Sequence, residues 1–114
     1  MKKIWIKEYP LANIICGRKT IEGRLDKGFF KKIKENDILF FCSSTKYCKV
    51  KITKIDKFSN FNDLLKNNNL HDVLPNIKNL DEGIKKYKKY YSDESVKKFG
   101  VLGIHIELIK NNNC

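Results

Sequence analysis

The stretch CGRKTIEGRL, residues 16–25, holds both arginines of the chain, Arg18 and Arg24; every other strong base is a lysine. Lysine, asparagine and isoleucine are written by A/T-rich codons, so composition drift replaces arginine wherever an ammonium will serve. An arginine that stays marks a place where the planar, bidentate guanidinium is needed. The segment KTIEGRL is short, β-branched and alternating, so residues 19–25 read as a strand. Alternation sends Lys19 and Ile21 to one face and Thr20, Glu22 and Arg24 to the other. Gly17 and Gly23 allow close backbone approach. A base, a hydroxyl, an acid and a guanidinium thus gather at a strand that begins where a helix ends.

Ahead of the motif, EYPLANIICG predicts a helix, with Pro10 in its first turn and Gly17 at its C-cap. KIWIK, earlier still, reads as a first strand with Trp5 facing the core. After the motif, DKG turns the chain and FFKKIKEND forms a helical turn ending at Asn36–Asp37. DILFFC is a near-continuous apolar run, which predicts a strand buried on both faces. KYCKVKITKID alternates, with Cys48, Val50 and Ile52 on one face and Lys49, Lys51 and Thr53 on the other, and pairs with it as a hairpin. FSNFNDLLKNNNL predicts a helix capped by Asn60 or Asn62. HDVLPNIKNL is loop and short helix. DEGIKKYKKYY is a helix with Ile84, Tyr87 and Tyr91 on one face, and Ser92 caps the next segment. VLGIHIELI is the closing strand, and residues 111–114 a frayed tail. The order predicts one α+β domain over residues 1–110: a small mixed β-barrel of about five strands with flanking helices.

Apolar residues make up 41% of the chain, enough for one packed core at 114 residues. The net charge of +11 points to an anionic partner, discounted for the codon bias. Cys16, Cys42, Cys48 and Cys114 form no C-x-x-C pair and share no ligand spacing with His71 or His105. The expectation is therefore four reduced, mostly buried thiols, no metal and no cofactor. MKKIWIKEY is broken by Lys7 and Glu8 and does not read as a signal peptide, and no segment approaches the ~18 apolar residues of a membrane span. A cytoplasmic protein without membrane or obligate protein partner is expected. Beside the motif, Lys49 and Lys51 are candidate phosphate contacts, and Tyr90 is the tyrosine of its helix most available for base stacking.

GRKTIEGR fits the G-x-K-x-x-E-x-R motif of the ASCH domain, a branch of the PUA-like superfamily, at Gly17, Lys19, Glu22 and Arg24. FFKKIKENDILFF resembles that family's F-x-x-I-K-x-G-D-x-I-x-F segment, with Asn36 in place of Gly. FSNFNDLL through YYSDE resembles the helical stretch of small stand-alone members, and FGVLGIHI their closing strand. The resemblance implies a PUA-like β-barrel with a cleft beside the motif strand that binds RNA or a modified nucleoside. Gly17, Arg18, Lys19, Glu22 and Arg24 would line or border it. One branch of the family is an amidohydrolase that releases acetate from N4-acetylcytidine, with a lysine and, three residues on, a threonine nucleophile. Lys19 matches that lysine, but the nucleophile position is Glu22. The alternative function implied is a metal-independent amidohydrolase on an acylated nucleoside, using Lys19, Glu22 and Thr20.

Overall fold

The computed structural model describes residues 2–111. Its strands are β1 (Lys3–Trp5), β2 (Ile21–Leu25), β3 (Ile38–Cys42), β4 (Tyr47–Phe58) and β5 (Val101–Asn111). Its helices are α1 (Glu8–Ile15), α2 (Phe61–Lys66), α3 (Leu70–Val73), α4 (Leu80–Lys88) and α5 (Asp93–Phe99), with a 3₁₀ turn at Gly28–Lys31. The strands form one mixed sheet in the order β1-β3-β4-β5-β2. β1 runs parallel to β3, and the other pairs are antiparallel. The sheet curls into a partly closed barrel of mixed α+β type. Register shifts at Lys49/Val50 and Ile52/Lys54 along the β4–β5 ladder supply the bends a curled sheet requires.

Alternation in β4 falls as expected: Cys48, Val50 and Ile52 are fully buried, and Lys51 and Thr53 are exposed. They meet Leu39 and Phe41 of β3, Leu102, Ile104 and Ile106 of β5, and Leu11, Ile14 and Ile15 of α1 in one core. Burial raises the Cys48 thiol to about 11, so it serves this core as a small apolar group. A second core joins Ile21, Leu25 and Val101 to Phe61, Leu64 and Leu65 of α2, Val73, Leu74 and Ile77, and Tyr87 of α4. Its tightest point is the cross-strand pair Gly23–Gly103. A Cβ on Gly103 would stand 2.8 Å from Leu64 Cδ1, and one on Gly23 2.8 Å from Leu64 Cδ2 and 2.7 Å from the Tyr87 hydroxyl. Only two facing glycines admit Leu64 this close to the sheet.

Asn60, not Asn62, caps α2: its side chain accepts from the Asp63 amide at 2.8 Å. Asn60→Ala is expected to cost about 1 kcal/mol, read as a lower urea midpoint at unchanged slope. Glu8 opens α1 and ties down the β3–β4 loop, accepting from Ser43 Oγ at 2.6 Å and Thr45 Oγ1 at 2.7 Å. Those hydrogen bonds, Ser43's first, hold its carboxyl down at about 2.

Some expectations are corrected. Trp5 does not face the core; β1 buries Ile4 and leaves Trp5 64% exposed. The motif strand starts at Ile21 rather than at residue 19, and α4 ends at Lys88, short of Tyr90 and Tyr91. Asn111 belongs to β5, and the rest of the expected tail, 112–114, lies outside the described residues. Cys42 and Cys48 are free thiols as expected, but Cys16 is disulfide-bonded. Among the described residues, no helix is long and apolar enough to cross a membrane.

Candidate functional site

The site is built where α1 hands the chain to β2. At the end of α1 the backbone oxygen of buried Asn13 accepts from the amides of Arg18 (2.9 Å) and Lys19 (3.0 Å). Gly17, at φ +80°, makes the turn that this double bond requires. The Asn13 side chain accepts from Arg18 Nε at 2.8 Å, which pins the exposed Arg18 over the helix end. The Thr20 amide then donates to Asp72 O, and Thr20 O accepts from the Ile106 amide. These bonds fix the backbone on either side of Lys19.

Because residues 19 and 20 precede β2, strand alternation does not govern them. Lys19 turns inward and is 4% exposed. Its ammonium donates to Ile21 O at 2.9 Å and to Val73 O at 2.6 Å, and lies 3.2 Å from Glu22 Oε1. Glu22, 7% exposed, takes Arg24 Nε on its other oxygen at 2.8 Å. One buried carboxylate therefore bridges two cations. Burial pushes the Lys19 ammonium below its ordinary value, against the pull of Glu22. Burial alone would raise the Glu22 carboxyl, but the charges and hydrogen bonds of Lys19 and Arg24 outweigh it and hold the carboxyl low. All three donors of Lys19 are committed. Two of the roughly four acceptor positions of Glu22 are used, and Arg24 is bound only through Nε among the described contacts. Its guanidinium lies 5.0 Å from the Phe30 ring centre.

The cluster forms the polar part of a cleft of about 410 Å³ whose surface is otherwise mainly apolar. Trp5, Tyr9 and Tyr90, all exposed, stand around it with Pro10 and Pro75. Lys7 and Lys86 add positive charge. Lys7 Nζ donates to the Tyr90 hydroxyl at 2.8 Å, which lowers the Tyr90 pKa. Tyr87, stacked on Phe61 with centres 3.9 Å apart, closes one wall. A second hollow, lined by Phe30, Lys27, Ser92 and Ser95, adjoins the cleft through Arg24, Tyr90 and Tyr91.

Of the residues singled out in the sequence, Lys19, Glu22, Arg24 and Tyr90 line this cleft. Gly17 and Arg18 sit behind it at the turn, and Thr20 is exposed outside it. Lys49 and Lys51 lie on the outward face of β4, away from the cleft. His71 bonds to Ile77 O and His105 to Asp56. Trp5, Tyr9 and Asn13 line the cleft without having been singled out for it. For Trp5 the signal was present, because KIWIK itself places it on the face of Lys3 and Lys7, opposite Ile4 and Ile6.

Residues 4–110 match the ASCH domain family model. The crystal structure of the hypothetical protein PH0355 is similar at 36% identity with a TM-score of 0.88, over 94% of this chain and 97% of that one. The solution structure of protein PF0455 from Pyrococcus furiosus has 33% identity and a TM-score of 0.80, over 95% of this chain and 96% of that one. The ASCH crystal structure from Zymomonas mobilis shares the fold at 12% identity, with a TM-score of 0.66 over 97% of this chain and 71% of that one. No curated protein matches.

Proposed function

The chain belongs to the ASCH domain family, and on that footing we propose that its cleft binds RNA or a modified nucleoside through a planar base. The observation that carries this reading is the buried Lys19–Glu22–Arg24 cluster set in an aromatic-rimmed apolar cleft. An apolar slot with a few convergent polar groups is what a planar heterocycle requires. The free acceptor positions of Glu22 suit an exocyclic amine, and the Nη donors of Arg24 suit a ring carbonyl. Trp5, Tyr9 and Tyr90 offer stacking surface at the mouth, and Lys7 and Lys86 offer charge for phosphate. Lys19 acts from behind by holding Glu22 in place.

Hydrolysis of an acylated nucleoside gains no support from the geometry. The Thr20 hydroxyl lies outside the cleft, and Glu22 is held ionised between two cations, a poor proton acceptor near neutral pH. Trp5, the sole tryptophan, is a built-in reporter. Titration with nucleosides and short RNAs at low salt is expected to quench its fluorescence. Arg24→Ala is expected to weaken binding by roughly 10-fold or more, the loss of a charge-assisted hydrogen bond. Absence of any binding by nucleosides, nucleotides and short RNAs would sink the proposal. Acetate release from N4-acetylcytidine that persists in Arg24→Ala would favour the hydrolase instead.

A further inference from the structure

The outward face of the barrel beside Trp5 carries a second arrangement of aromatic rings and lysines. In β3, Leu39 and Phe41 point into the core, so Ile38, Phe40 and Cys42 point out. In β4, Tyr47, Lys49 and Lys51 point out by the same alternation. The register aligns them in rows. Trp5 pairs with Cys42 and Cys42 with Tyr47; Lys3 pairs with Phe40 and Phe40 with Lys49. Phe40 and Tyr47 stack on each other, centres 5.5 Å apart and planes within 8°. Tyr47 is nonetheless 43% exposed and Ile38 is exposed as well. α1 lies on the other side of the sheet, through Leu11, Ile14 and Ile15.

A monomer gains little from leaving Tyr47 and Ile38 in water beside a half-buried Phe40 and three lysines. The pair is flat, pre-stacked and flanked by Lys3 and Lys49, with Lys51 one row on. The acid across from Lys51 is Glu107, at the margin of this patch. Continuity matters as much as composition. Trp5 belongs both to the first row of this face and to the rim of the cleft. From β1 to β4 is two strand spacings, about 10 Å. On this surface the row that starts at Trp5 on the cleft rim runs through Cys42 to Tyr47, beside Phe40.

We propose that this face is a docking platform for single-stranded RNA that continues from the cleft, with Tyr47 stacking a base and Lys3, Lys49 and Lys51 meeting phosphates. The proposal rests on the nucleic-acid reading of the cleft and narrows its ligand to a strand of several nucleotides. Stacking tolerates any base, so the platform supplies affinity and leaves base choice to the cleft.

The test compares a fluorescent single-stranded RNA decamer with a mononucleotide on the full chain. Tyr47→Ala is expected to weaken the decamer by roughly 5-fold to 100-fold and leave the mononucleotide unchanged. Lys49→Gln with Lys51→Gln should lower the slope of log affinity against log salt by about 0.7 for each phosphate no longer neutralised. Arg24→Ala should weaken both ligands. Thermal unfolding of each variant controls for the fold, and Tyr47→Phe should retain decamer binding. A decamer that binds no better than the mononucleotide, or ignores Tyr47→Ala, overturns the platform and leaves the cleft reading standing. Failure of the parent chain to bind either ligand overturns both. Self-association in sedimentation that Tyr47→Ala abolishes, with decamer affinity unmoved, would make the face a protein interface and also overturn the proposal.

Discussion

Glu22→Ala is expected to destabilise the protein by about 3–5 kcal/mol, measured as a fall in the urea unfolding midpoint. The cost comes from what stays behind. Lys19, 4% exposed, keeps its two carbonyl bonds but loses its counter-charge while almost wholly buried. Arg24, more exposed, can turn to solvent; Lys19 cannot without leaving Ile21 O and Val73 O. The double replacement Lys19→Met/Glu22→Leu removes both charges and should recover most of the loss, because a buried pair swapped for apolar groups is often neutral. A double variant as unstable as Glu22→Ala would show that the carbonyl bonds of Lys19, not the ion pair, carry the energy. The pH dependence follows in sign. Glu22 has a folded pKa below its ordinary 4.5, so its stabilisation is fully present above that value and is lost as pH falls through the folded pKa. Glu22→Gln should flatten this part of the acid limb of the stability curve.

The second large effect lies across the sheet. Leu64→Ala is expected to cost about 2–5 kcal/mol, since Leu64 is fully buried and fills the notch over Gly23 and Gly103. Gly103→Ala should cost about 1–3 kcal/mol by driving its new methyl into Leu64 Cδ1. Combined, the two should be less damaging than their sum, because the truncated leucine vacates the space the methyl needs. Strict additivity in urea titrations would mean that the approach of a Gly103 methyl to Phe58, at 3.2 Å, dominates instead. The notch also sets the cleft. Tyr87 packs over Gly23, and the same ring closes the wall beside Glu22.

Much of this molecule is legible one residue at a time. Period-two burial in β4, Pro10 and Gly17 bracketing α1, and the cap at Ser92 each follow from local rules, and the structure keeps all of them, whereas β3, expected to be buried on both faces, buries only Leu39 and Phe41 and leaves Ile38 exposed on its outward side. Glu22 and Arg24 are same-face neighbours as alternation requires, because both lie inside β2. Lys19 escapes that rule, because it lies in the turn before β2, where the Asn13 carbonyl rather than the pleat sets its direction. Trp5 follows the alternation of its own strand and not the preference of a large ring for the core. The fit of Leu64 over two glycines depends on distant partners that no local pattern encodes.

Fold class, strand and helix content, and the charged motif around which a site forms are all written in the chain itself. They depend on side-chain period, turn chemistry and residue type, which act over a few neighbouring residues. Three features came from tertiary packing and from nothing local: Glu22 is braced by a saturated lysine, Val73 and Tyr87 close the cleft, and Trp5 joins it to the outer face. Each requires segments remote in the chain to meet at ångström separations, and only the packing of α3 and α4 on β2, with β1 at the far edge of the sheet, brings them together.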